Sequence, residues 1–225
     1  MLACPIAGGS VTSEQLSGDS SADDCSPEEG PLQQSAGIVA GEVLYFAPVD
    51  RSWQVSRLHA LGLGQHEDVL RSRDLGNKYI SIMQPPRDMA SIHGDGNCFF
   101  RTLSHLLTGH QKLYRPLRNR VTSYMRDNNA FFSQFSLTDD YYSRSGMEED
   151  GTWATEMELI AAASMLATDI CCFGPSGVDQ QRRTVFKWLT YSARQELRPL
   201  FGLQQTARKM FICNRYHHYT PVYAV

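Results

Sequence analysis

Ser91-Ile92-His93-Gly94-Asp95-Gly96-Asn97-Cys98-Phe99-Phe100-Arg101-Thr102-Leu103 sets four turn-forming residues directly ahead of a helical run. Gly94, Asp95, Gly96 and Asn97 tolerate sharp bends and, for the glycines above all, positive φ. Beyond them Phe99, Leu103, Leu106 and Leu107 recur at helical spacing, and Gly109 supplies the stop. Cys98 is thereby predicted in the first turn of a helix. The unpaired N–H groups and the positive end of the helix dipole favour an anion there, so a cysteine at such a position is biased towards its thiolate. The same turn gathers the backbone N–H groups of Asp95, Gly96, Asn97 and Cys98 around one point, which is how an oxyanion hole is assembled.

Downstream, Pro116 suits the first turn of a second helix, in which Leu117, Val121 and Met125 repeat every four residues. Arg115, Arg118, Arg120 and Arg126 are read as keeping to its solvated faces. Residues 130–150 read as a partly helical surface region in which Phe131, Phe132, Phe135, Tyr141 and Tyr142 are read as core residues rather than as a surface that recognises a protein substrate. Thr155 with Glu158 three residues on forms a capping box for a third helix, which Ala161, Ala162 and Ala163 allow to pack closely. A strand over 169–173, ended by Gly174-Pro175, and another over 185–188 follow. The C-terminus reads as a hairpin: strand 210–213, connection 214–217, strand 218–222. Neighbouring strand residues face opposite sides, so only one of His217 and His218 can serve a site at Cys98.

Upstream, Pro85-Pro86 marks a boundary. Three segments result: an acidic Ser/Gly-rich tail over 1–36, an extension over 37–85 whose role the sequence leaves open, and a main domain over 86–225. Residues 1–50 carry eight acidic groups and no Lys or Arg, leaving 16 acidic groups against all 21 bases beyond, a net of +5. Such an opening lacks the apolar area to offset its ordering entropy and is expected to be disordered. Within the extension, Glu42 to Phe46 reads as a strand and Trp53 to Leu63 as a short helix.

Six cysteines in 225 residues, with no Asn-x-Ser/Thr acceptor, fit a reducing compartment rather than a disulfide scaffold. The basic excess is scattered, which argues against nucleic acid, and no apolar run reaches membrane-spanning length. Met1 to Gly9 has neither the basic start nor the apolar length of a secretory signal. A zinc site from Cys171, Cys172, Cys213, His217 and His218 is the rival chemistry, weakened by the lack of any CxxC pair.

Asp-Gly-Asn-Cys followed by two aromatics and an Arg resembles the nucleophile motif of the OTU (ovarian tumour) family of cysteine proteases, which are mostly deubiquitinases. Trp153 with Glu158-Leu159 and an Ala-rich helix, and then His218-Tyr219 near the C-terminus, resemble further family features in the family's order. The resemblance covers about residues 86–225. It implies an α/β (α+β) fold with a small central sheet flanked by helices, Cys98 as nucleophile, His218 as general base, no metal or organic cofactor, and a monomer acting on ubiquitin, polyubiquitin chains or ubiquitinated proteins in the cytoplasm, with the nucleus a second compartment. Asp or Asn often stands two residues after the family histidine, where this chain has Thr220. That leaves Asp95 and Thr220 as candidates for the third member, with Asp95 preferred as the only carboxylate in the motif. Two other functions stay open: a weak or inactive OTU-fold module that binds ubiquitin, and a protease for another ubiquitin-like or polyprotein substrate.

Overall fold

Asp50 starts the first helix that leads into the core. The computed structural model describes residues 45–64, 81–135 and 139–225; the expected tail over 1–36 and residues 42–44 of the first expected strand lie outside them. After a two-residue strand β1 (Tyr45–Phe46), the Asp50 carboxylate accepts the Trp53 N–H at 2.9 Å and caps α1 (Arg51–Ala60). The helix therefore begins two residues earlier than its apolar pattern suggests, and it ends before Gly62, whose φ of 71° turns the chain. Trp53, Leu58 and Leu61 are buried in the main core. Trp53 Nε1 donates to Thr168 Oγ1 at 2.8 Å, and Arg57 Nε donates to the Leu166 carbonyl at 3.1 Å. Packing thus runs across the boundary expected at Pro85-Pro86, and part of the open 37–85 extension belongs to the body it precedes.

β2 (Ser81–Ile82) pairs antiparallel with β1, and β3 (Asp88–Met89) leads to the nucleophile segment. Then come α2 (Cys98–Thr108), α3 (Tyr114–Asp127), α4 (Asn129–Phe132), α5 (Asp139–Ser145) and α6 (Glu156–Met165). Gly109 closes α2 in the left-handed region at φ 78°, as its sequence position implies. The capping box at the start of α6 forms: Glu158 Oε2 accepts from both the N–H and the hydroxyl of Thr155, each at 2.7 Å. Burial pushes the Glu158 carboxyl above its ordinary value, and these donors, with the Tyr141 hydroxyl, oppose the shift.

Four longer strands complete a five-stranded mixed sheet of order β3-β7-β6-β4-β5, formed by β4 (Ile170–Val178), β5 (Thr184–Tyr191), β6 (Met210–Arg215) and β7 (His218–Ala224). Only β4 and β6 run parallel; the other neighbours are antiparallel. Alternation sorts the side chains into two cores. Ile170, Cys172, Met210, Ile212 and Tyr219 join the helices in the main core, whereas Cys171, Phe173, Phe211, Cys213 and Val222 form a smaller one with Phe46. The cysteines of the rival zinc set therefore face both sides of the sheet. The strand expected to stop at Gly174-Pro175 continues to Val178. Beyond Phe173, β4 pairs with β5 alone, and a strand with one open edge tolerates the missing N–H of Pro175.

Candidate active site

The turn before α2 is shaped by contacts that only its own residues permit. Gly96 has φ 78°, and a Cβ built on it would stand 1.7 Å from the Gly151 carbonyl oxygen, so the position excludes every side chain. Asn97 is buried, and its Oδ1 accepts from the Gly151 N–H at 3.1 Å and from Arg118 at 2.8 Å. Its side chain therefore does not cap α2. The first helical hydrogen bond is Arg101 N–H to the Asn97 carbonyl at 2.9 Å, so the N–H groups of Cys98, Phe99 and Phe100 precede the i→i−4 ladder. Cys98 opens the helix, 5% exposed, with its Sγ 3.7 Å from the His217 carbonyl oxygen.

One of the four expected oxyanion donors is already engaged. The Asn97 N–H donates to Asp95 Oδ1 at 3.2 Å, which leaves Asp95, Gly96 and Cys98 from the expected set.

The histidine arrives on the β6–β7 hairpin. Its two-residue turn is Tyr216-His217, with φ of 54° and 61°, the double left-handed pattern of a type I′ turn. His217 is thus a turn residue and not the first residue of the strand. Its ring stacks on Trp153, with centroids 5.6 Å apart and planes at 21°. Tyr219 ties β7 to α2: its ring meets Phe99 edge-on at 5.5 Å, and its carbonyl accepts from Thr102 Oγ1 at 3.0 Å. Strand alternation then turns His218 the other way, and a Cβ at Gly94 would lie 3.9 Å from its Nδ1 and Cε1. The imidazole of His218 thus rests against the loop that carries Cys98.

The two candidates for a third member are engaged elsewhere. Both Asp95 oxygens receive Arg101, in a bidentate ion pair, and one also receives the Asn97 N–H. This carboxylate, 40% exposed, holds the loop to α2 instead of being buried against an imidazole. The Thr220 hydroxyl lies 3.6 Å from Met89 Sδ and donates to it.

Arg101 beside Asp95 holds that carboxyl well below the ordinary carboxylate range. A lowered folded-state value contributes stability above the unfolded pKa of about 3.9, lost as pH falls below it. Asp95→Asn should therefore flatten the acid side of the stability profile, modestly because the pair is partly exposed. Melting temperatures of both proteins between pH 6 and pH 2 check this; parallel curves would mean that the pair contributes nothing.

Arg118 is the residue that sequence reasoning misplaced. It is 1% exposed, not on a solvated face. Its guanidinium donates to the Met147 carbonyl at 2.8 Å, the Thr152 carbonyl at 2.7 Å and Asn97 Oδ1 at 2.8 Å, and it lies over the Phe100 ring at 4.2 Å. Burial draws it below its ordinary value. The signal was present: Arg118, Val121, Thr122 and Met125 follow the i, i+3, i+4, i+7 stripe, and all four are buried.

A family model described as OTU-like cysteine protease matches residues 93–207, a stretch that contains Cys98 and stops short of His218. Over 84 residues the chain is 37% identical to the OVARIAN TUMOR DOMAIN-containing deubiquitinating enzyme 7 of Arabidopsis thaliana, covering 36% of this chain and 22% of that protein. Over 76 residues it is 36% identical to human OTU domain-containing protein 1, covering 34% of this chain and 16% of that one. The matched stretch is thus about a fifth of these relatives' length. Among solved structures, the OTUD1 OTU domain aligns with a TM-score of 0.46 and 26% identity, over 60% of this chain and 83% of that one.

Proposed function

Because the chain belongs to the OTU-like cysteine protease family, we propose that it is a deubiquitinase that hydrolyses the isopeptide bond at the C-terminus of ubiquitin through Cys98 and His218. The observation that carries this reading is the meeting of two distant segments: the imidazole of His218 lies against Gly94, and Cys98 Sγ lies against the His217 carbonyl. Two relatives bear the name deubiquitinating enzyme, which supports ubiquitin as the substrate.

The Cys98 thiolate, paired with the His218 imidazolium, attacks the C-terminal carbonyl carbon of ubiquitin, and the oxygen takes up the negative charge. N–H groups at the start of α2 and in its preceding turn stabilise that charge without reorganising. Collapse of the tetrahedral species expels the lysine amine, which takes its proton from the imidazolium and leaves a thioester on Cys98. His218 then takes a proton from water as it attacks the thioester. Ubiquitin leaves as a carboxylate and the thiolate returns. Cys98 and His218 act as a dyad, since Asp95 is committed to Arg101 and Thr220 to Met89. Thr220→Ala should leave turnover within about twofold, because a hydroxyl bonded to sulfur is among the weaker hydrogen bonds.

Ubiquitin bearing a C-terminal electrophile should form a covalent adduct with this chain and none with Cys98→Ala. An adduct that survives the substitution would move the nucleophile elsewhere. No adduct with either protein, where an electrophilic ubiquitin-like modifier does react, would transfer the activity to that other tail.

A further inference from the structure

A single loop, residues 146–155, touches both halves of the proposed reacting pair. Gly151 and Trp153 stand two residues apart on it. Gly151 donates its N–H to Asn97 Oδ1 at 3.1 Å, and its carbonyl is packed on Gly96 so tightly that no Cβ fits between. Trp153 stacks on His217, whose carbonyl faces Cys98 Sγ and whose next residue is His218.

The hairpin turn needs such support. Type I′ turns favour Asn-Gly because both central residues take positive φ, where a Cβ is crowded. Tyr216 and His217 both occupy that region as non-glycine residues, and backbone outliers of this kind persist where the surroundings hold them. Tyr216 is 92% exposed and its ring has little protein around it, so the side-chain hold on the turn falls to the His217 ring, beside the contact of the His217 carbonyl with Cys98 Sγ. Trp153 is itself 59% exposed, which is unusual for a tryptophan, and it belongs to neither core.

The loop is braced from behind by α3. Arg115 pairs with Asp150 at 2.8 Å, Arg126 with Glu148 at 2.9 Å, and Arg118 donates to the carbonyls of Met147 and Thr152. Each ion pair is exposed and weak alone, but together with the buried guanidinium they limit the loop at four residues.

We propose that the 146–155 loop is a yoke holding the nucleophile turn and the histidine hairpin in one register, with Trp153 a positioning residue that acts through the His217 ring. The proposal rests on Cys98 and His218 as the reacting pair. Trp153 needs no contact with substrate for this role; it sets the backbone on which His218 is carried.

The test uses the full chain and its Trp153→Ala, Trp153→Phe and His217→Asn variants, with the Trp153→Ala/His217→Asn double variant. Asn is chosen at 217 because it accepts positive φ while removing the ring. Two rates are read: turnover of ubiquitin carrying a C-terminal fluorescent amide, and alkylation of Cys98 by iodoacetamide, resolved by peptide mass spectrometry. Iodoacetamide needs only the thiolate and no ubiquitin. Trp153→Ala should lower kcat about tenfold, in line with the loss of one aromatic stack, with KM within about twofold. Alkylation should slow in parallel, Trp153→Phe should retain most of both rates, and the double variant should be no worse than Trp153→Ala. A raised KM at unchanged kcat would overturn the proposal by making Trp153 a substrate contact. Additive losses, or faster alkylation of Cys98 in Trp153→Ala, would overturn it by showing that the stack transmits nothing or that the indole only shields the thiol. If the parent alkylates in a Trp153-dependent way but does not process ubiquitin, the yoke stands and the substrate reading falls.

Discussion

His218→Ala is expected to lower turnover by roughly 10² to 10⁴-fold, the usual contribution of a positioned general acid–base group, while the melting temperature moves little. The two effects separate because strand alternation gives adjacent residues different tasks. Tyr219 holds β7 on α2 through Phe99 and Thr102, and it remains in the variant. The His218 ring, only partly buried, lies against Gly94 and belongs to neither core. Removing it takes away a proton carrier and very little packing. Steady-state turnover and thermal unfolding on the same preparation check the prediction. Turnover within threefold of the parent would remove His218 from the mechanism, and a large drop in melting temperature would mean that β7 had lost its register.

Arg118→Met should destabilise the protein by about 3 kcal/mol, although methionine is flexible and apolar and replaces the arginine stem. The carbonyls of Met147 and Thr152 lose the guanidinium that donates to them, and Asn97 Oδ1 loses one of its two donors, keeping the Gly151 N–H. Each buried acceptor left unpaired costs about 1 to 3 kcal/mol, and removing a guanidinium whose charge burial disfavours returns part of the sum. For a chain of this length that corresponds to a fall of roughly 6 to 12 °C in melting temperature. Arg118→Lys should recover only a fraction, because one ammonium on a flexible stem cannot span acceptors that a planar fork reaches together. Denaturant unfolding gives the free energies. A change below about 0.5 kcal/mol for Arg118→Met would mean that water satisfies the two carbonyls and that the guanidinium is not a brace.

The same substitution should slow Cys98 alkylation, because Asn97 would lose one of its two anchors and Cys98 follows it directly. Stability and reactivity are coupled at Arg118 and separate at His218. The physical reason is that Arg118 holds the loop on which the nucleophile rests, whereas His218 only meets that loop from the strand opposite.

What the sequence determined by itself is local. Gly94 to Asn97 before an apolar helical run places Cys98 at a helix start, Gly109 ends that helix, and Thr155 with Glu158 caps another; each depends on hydrogen bonds and φ preferences within a few residues. The C-terminal hairpin was legible for the same reason. Tertiary structure alone decided the rest. The motif alone offers Asp95 as the third member, whereas in the fold Arg101, six residues on, engages both of its oxygens. Arg118 looked like a solvated charge because burial of a guanidinium depends on acceptors from a loop 29 to 34 residues away, which composition does not reveal. Helix α1 entered the core through partners more than 100 residues distant, at Leu166 and Thr168. The pairing of Trp153 with His217 likewise exists only once the sheet has brought the hairpin to the loop. Local patterns in a chain specify which backbone shapes are cheap, whereas the partners of a charged or aromatic side chain depend on which distant segments packing places beside it.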